Sequence, residues 1–259
     1  MRENTTMNTC VKEEKVTLNK PVIIEGLPGL GSVGTIVASC LIEQSKAKII
    51  AILQSPHFPY YALVNKRGVA RLPRNEFYYY KSKDNKKDIV VITGDCQPQS
   101  ALGQYEVAER IVDYAFKHSA RLIVTVGGYS SRETNQPKVV GAATGNKISS
   151  ELTKLGVVID KMGIPVVGVA GLVLPLAESR GLDAVCLLGE TVGYVPDPRA
   201  AKSVLIVLSR LLGLEVSYTE LDREIKKMPR LEDKIRQATR TLDEEIGEKK
   251  LSERFSYIS

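Results

Sequence analysis

The chain has 259 residues, 43% of them hydrophobic and 25% charged, a balance that suits one α/β domain with an appendage and excludes a disordered or fibrous protein. No apolar run reaches the ~18 residues a spanning helix needs, and residues 1–19 alternate polar and charged groups without the apolar core of a signal peptide, so a cytoplasmic protein with no membrane contact is expected. The formal net charge is +6, but from Ser217 onward ten Lys/Arg face ten Asp/Glu, which leaves the excess diffuse over the preceding body and speaks against a nucleic-acid partner.

In chain order, the apolar run 21–25 feeds Gly26-Leu27-Pro28-Gly29-Leu30-Gly31-Ser32-Val33-Gly34 and a helical pattern over 33–45. Gly29, Gly31 and Gly34 have the spacing of a dinucleotide fingerprint, whose glycines let backbone N–H groups approach a pyrophosphate. The acidic residue that should hold the ribose is missing, because no Asp or Glu lies between Glu43 and Glu76. A tight strand-to-helix crossing explains the glycines better, with Gly29, Gly31 and Gly34 kept as a candidate ligand loop. Strand patterns follow at 48–53 and 60–64, separated by the proline-bounded loop Ser55-Pro56-His57-Phe58-Pro59. His57 is a candidate general base within reach of Asp95, but no nucleophile accompanies it.

Strands at 76–81 and 88–93 read as a hairpin with a charged turn between them. Tyr78-Tyr79-Tyr80 suits either base stacking or a strand with an aromatic face, and the strong strand preference of tyrosine favours the second. Ser100 caps a helix over 100–117 that His118 closes, where a cationic ring gains from the helix dipole. A strand at 121–126 precedes Gly127-Gly128-Tyr129, and Gly141-Ala142-Ala143-Thr144-Gly145-Asn146 precedes a helix over 146–155. Both glycine segments read as loops after strands, where open sheets hold ligands, and Thr144 and Asn146 are candidates for holding an anion. A strand at 165–169, a helix at 173–180 and a strand at 184–188 lead to Asp197-Pro198, which cap and open a helix over 199–212 that Gly213 stops.

Strands alternating with helices predict an α/β fold: three layers, with a mostly parallel mixed sheet covered by helices on both faces. Cys10, Cys40, Cys96 and Cys186 lie too far apart for a metal or redox pair, and Cys40 and Cys186 suit core positions. Neither Ser32 nor Ser130 sits in a nucleophile elbow, so no metal, cofactor or catalytic group is expected. The body is expected to span 1–216 and a charged helical extension 217–259. In that extension Leu231, Ile235, Ala238, Leu242 and Ile246 form a narrow stripe suited to packing on another helix, within or between chains. Phe255, Tyr257, Ile258 and Ser259 read as a docking peptide for a partner.

Taken together, Gly26 to Gly34, Gly127-Gly128-Tyr129, Gly141 to Asn146, Arg180-Gly181-Leu182 and Cys186-Leu-Leu-Gly-Glu-Thr-Val-Gly-Tyr-Val-Pro-Asp-Pro198 resemble the proteasome assembly chaperone 2 family in its archaeal form. The resemblance implies a nucleoside-phosphorylase-like α/β scaffold without enzymatic chemistry, self-assembling (a tetramer or pentamer) and engaging the proteasome α-ring. Some members dock through a terminal hydrophobic-Tyr-X motif. Here Tyr257 stands third from the end and Ser256 precedes it, so the resemblance leaves room for another protein client. The residue-based alternative is a phosphorylase- or hydrolase-type enzyme binding phosphate or nucleoside at the two glycine loops.

Overall fold

The computed structural model describes residues 8–82, 87–130, 136–159, 163 and 165–228. The chain divides into two units, Met1–Ser217 and Tyr218–Ser259. Among the described residues the first unit carries eleven strands: β1 (Cys10–Glu13), β2 (Val22–Glu25), β3 (Lys48–Gln54), β4 (Leu63–Val64), β5 (Ala70–Arg71), β6 (Asn75–Lys81), β7 (Asp88–Gly94), β8 (Leu122–Ser130), β9 (Val139–Ala143), β10 (Val158–Ile159) and β11 (Ala184–Thr191). Nine form one mixed sheet in the order β1-β3-β6-β7-β2-β8-β11-β9-β10, and β4 pairs with β5 apart from it.

The centre, β7-β2-β8-β11, is parallel, and its Val/Ile runs are buried on both faces, which is why they read as unbroken apolar segments. Outward of β7 the pairing is antiparallel through β6, β3 and β1, and β6–β7 form the expected hairpin. Helices α1 (Val33–Ser45) and α5 (Pro198–Leu212) pack together on one face, and α2 (Ala101–Lys117) and α4 (Val169–Glu178) on the other. α3 (Asn146–Lys154) covers β9 and β10. The expected three-layer α/β fold is present.

Four local expectations are corrected. Gly127-Gly128-Tyr129 continues β8 rather than leaving it, and Gly141 to Ala143 belong to β9, antiparallel to β11. Small residues with weak strand preference are held extended there by pairing, and Gly141 leaves the space into which Val157 and Leu152 pack. The apolar run at 165–169 is not a strand: Gly168, at φ +91°, turns the chain and Val169 opens α4. Of 60–64 only Leu63–Val64 pairs, in the β4–β5 hairpin. Residues 10–13 form an edge strand that polar composition conceals, pinned to α2 by His118 Nε2 against Glu13 Oε2 at 3.0 Å.

Both caps hold. Ser100 Oγ accepts from Gly103 N, and Asp197 Oδ1 accepts from Arg199 N and Ala200 N at 3.0 and 3.2 Å. Asp197 Oδ2 also accepts from Thr191 Oγ1 at 3.0 Å, so one buried carboxylate ties the end of β11 to the start of α5. Asp197→Ala is therefore expected to lower stability by about 2 kcal/mol, through a lost cap and an unpaired hydroxyl. Chemical denaturation of Asp197→Ala beside Asp197→Asn, which keeps the acceptor, reads this directly; equal losses in the two would remove the cap from the account.

The second unit's described part is a helix over 219–228. Arg223–Glu220 and Lys227–Glu224 pair along it, as expected of a charged helix. The stripe Leu231, Ile235, Ala238, Leu242 and Ile246 and the residues Phe255, Tyr257, Ile258 and Ser259 lie outside the described residues.

Candidate functional site

All the central parallel strands end at one edge of the sheet, and the two most distinctive sequence motifs meet there. Gly31 N donates to Gly193 O at 3.4 Å, and Asp197 N donates to Gly31 O at 2.8 Å, so the turn after β2 and the turn after β11 are knitted together. A side chain at Gly31 would strike Thr191, and one at Gly128 would strike the Leu30 carbonyl. At Gly34 a Cβ would lie 2.6 Å from Val126 O and 2.9 Å from Leu27 O. Gly29 differs: its nearest neighbour, Gln97 Nε2, would be 3.6 Å away, an ordinary contact. Gly31 and Gly34 thus seat α1 against the sheet.

Thr144 and Asn146 lie elsewhere. Because β9 runs antiparallel to β11, its end reaches the opposite edge, where Thr144 Oγ1 accepts from Ala184 N at 3.0 Å and Asn146 opens α3 exposed to solvent. The two glycine loops share no site, and the enzyme alternative built on their joint use loses its geometry.

Sequence reasoning passed over Glu25, the acid ending the run Val22-Ile23-Ile24. Its carboxyl is buried, Oε1 accepts from Leu27 N at 3.0 Å, and Oε2 has no hydrogen-bond partner. Register places Thr125 and Cys186 beside it on the same face, with Thr125 Oγ1 donating to Ala170 O at the start of α4. Burial raises the Glu25 carboxyl to about 7 against the partial offset of the Leu27 N–H, and pushes the Cys186 thiol up to about 12. This buried polar row is sealed beneath α4.

His57 has different partners from the one expected. Asp95 is engaged by the Arg71 guanidinium at 2.6 and 2.9 Å and by Arg74 N at 2.9 Å. His57 instead meets Ser100 Oγ at 3.1 Å through Nδ1 and Glu106 Oε1 at 3.5 Å through Nε2, while Thr9 bridges Glu106 and Ser55. With Ser100 Oγ already accepting from Gly103 N as a cap, the cluster tethers loop 55–59 to the first turns of α2. No group of His, Cys, Asp and Glu among the described residues could hold a metal, and no described helix is long and apolar enough to cross a membrane.

The same edge is rich in exposed apolar groups. Of fourteen exposed large apolar side chains among the described residues, eleven lie in segments leaving or entering this edge. Leu30, Val192 and Tyr194 flank the knitted turns, and Val167 precedes α4. Leu102 and Tyr105 lie on the first turns of α2. The rest, including Tyr60 at 98% exposure and Val64 and Val69 at 64% and 60%, belong to the segment carrying β4 and β5. Scattered apolar exposure needs no explanation, but clustering on one end of a molecule marks a contact surface.

Residues 23–236 match the model of the PAC2 family. Two uncharacterised proteins of Methanocaldococcus jannaschii are similar to this chain, one 34% identical over 85% of this chain and 84% of its own length, the other 28% identical over 88% and 89%. Among solved structures, Pyrococcus furiosus PbaB, described as an archaeal proteasome activator, is 37% identical with a TM-score of 0.84, over 89% of this chain and all of that one. Pyrococcus furiosus PbaA, described as an archaeal homolog of proteasome-assembly chaperone, is 32% identical with a TM-score of 0.71, over 88% and 96%. With its sheet order, its knitted glycine turns and these matches, the chain belongs to the PAC2 family.

Proposed function

We propose that this protein is a cytoplasmic, non-enzymatic, self-associating scaffold that assists or activates a proteasome core particle by engaging its α subunits. The observation that carries this reading is the likeness to two archaeal proteins described through the proteasome, at 37% and 32% identity over nearly the whole chain. The site is in keeping with it: the signature motifs lock a corner together and surround it with exposed apolar groups. In this reading the body, 1–216, forms the assembly, and the extension, 217–259, presents Phe255, Tyr257, Ile258 and Ser259 to the partner. Leu231, Ile235, Ala238, Leu242 and Ile246 pack that extension on a neighbouring helix.

Capture of purified proteasome α-ring by full-length protein, beside a variant ending at Arg254, tests both halves. Recovery by the full chain and a loss of about tenfold or more on truncation is expected, in line with aromatic anchors dominating small interfaces. Equal recovery would take residues 255–259 out of the contact, and no recovery by either form would overturn the partner.

A further inference from the structure

Residues 213–217 carry the chain from the end of α5 to the last residue of the first unit, and polar contacts fasten them along the way. Gly213, at φ +61°, turns the chain, Leu214 N donates back to Ser209 O at 2.8 Å, and Lys87 Nζ donates to Leu212 O at 2.6 Å. At the far end the amide of Gln44 holds Ser217 twice. Ser217 N donates to Gln44 Oε1 and Gln44 Nε2 donates to Ser217 O, each at 2.8 Å. One side chain thus reads both main-chain groups of one residue, as the facing residue does in a hydrogen-bonded pair of an antiparallel sheet. Ser217 ends the first unit and Tyr218 begins the second.

Stability does not account for this clamp. Gln44 and Ser217 are exposed, so both bonds compete with water, and ordering a glutamine side chain forfeits rotamer freedom. Packing does not fix the segment either: Leu214 and Val216 wall a cavity of about 390 Å³ whose other side is Leu41 and Tyr80. What the two bonds fix is geometry. With donor and acceptor both engaged, the Ser217 backbone can neither slide past α1 nor rotate beside it without breaking one of them.

The anchor is itself well seated. Gln44 lies in the last turn of α1, and Gly31 and Gly34 bring the start of that helix against the sheet. The 13 residues of α1 span ~20 Å, so one stiff element joins the glycine turn to the clamp. We infer that Gln44 is a positioning residue: through α1 it sets the point from which residues 218–259 leave the body, and thereby where the partner contact is presented, a second step that rests on the scaffold reading.

Hydrogen exchange at Ser217 in the full chain, beside capture of purified proteasome α-ring, tests this with Gln44→Ala and Gln44→Glu. Loss of the amide should speed exchange at Ser217 by about tenfold, the combined effect of two exposed hydrogen bonds, and weaken capture by a similar factor while the urea midpoint stays unchanged. Gln44→Glu keeps the acceptor for Ser217 N but loses the donor to Ser217 O, so it should fall between wild type and Gln44→Ala. Exchange indifferent to Gln44→Ala would refute the clamp. Capture lost in step with a lowered urea midpoint would make Gln44 a stabilising residue instead. Faster exchange with capture unaltered would overturn the positioning role and leave the proteasome reading intact, whereas no capture by wild type would overturn that reading and the positioning role with it.

Discussion

Glu25→Gln should make the protein about 3 kcal/mol more stable than wild type at pH 8 and above, while leaving the two alike near pH 4.5. The wild-type carboxyl is raised in the folded state to about 7 from 4.5, because burial disfavours its charged form more than the Leu27 N–H favours it. A group raised on folding contributes stability that is fully present below its unfolded pKa and is lost as pH climbs through the folded one. The loss therefore runs from pH 4.5 to 7 and is complete above that window. Glutamine keeps the acceptor for Leu27 N and resembles the protonated acid in shape, so it removes the titration without opening a cavity. Urea denaturation across this range should show a falling curve for wild type and a nearly flat one for the variant. Parallel curves would mean that Glu25 stays charged and finds a partner other than those placed around it.

How much of this was legible depends on whether a signal is local. α2 and α5 were readable with their ends because Ser100, Asp197-Pro198 and Gly213 act within a turn of where they stand, and each cap is made. The central strands were readable because burial on both faces writes an apolar run into the sequence. β9 was not, since Gly141-Ala142-Ala143 carry no strand preference and owe their extension to β11, more than forty residues away. The run at 165–169 has strand composition, yet Gly168 and the packing of Val169 and Val173 decide for helix.

At the site the same rule applies. Gly26–Gly34 and Gly189–Pro198 were each recognisable as motifs, but that they bond to one another is a tertiary fact. Asp95 looked available to His57 by proximity in sequence pattern, and only the hairpin's return brings Arg71 to claim it. Glu25 left a trace, a lone acid at the end of Val22-Ile23-Ile24, that burial converts into a perturbed carboxyl. The apolar edge left none, because tyrosine and valine read as strand interior until the fold leaves Tyr60 and Val64 outside.

Gly34→Ala should be among the most damaging single-methyl changes in the chain, and Gly29→Ala, five residues earlier in the same motif, nearly silent. The added Cβ at Gly34 meets two backbone carbonyls, of Val126 at 2.6 Å and Leu27 at 2.9 Å, and neither can rotate away as a side chain would. Relief requires α1 to lift from β2 and β8, which disturbs the Gly31–Gly193 and Asp197–Gly31 bonds as well. Overpacking of this kind costs about 3 kcal/mol, against which the better helix propensity of alanine returns at most about 1. At Gly29 the backbone is extended, φ −168°, and the new methyl stands 3.6 Å from the end of a flexible glutamine, so a change within about 0.5 kcal/mol is expected. A phosphate-cradling loop would invert the comparison, since its exposed first glycine would govern ligand affinity and its buried third would matter less to function. Thermal unfolding of the two variants, with association measured on whatever remains folded, separates the cases: a harmless Gly34→Ala, or a Gly29→Ala equally damaging, would show that these glycines do something other than bring α1 against the sheet.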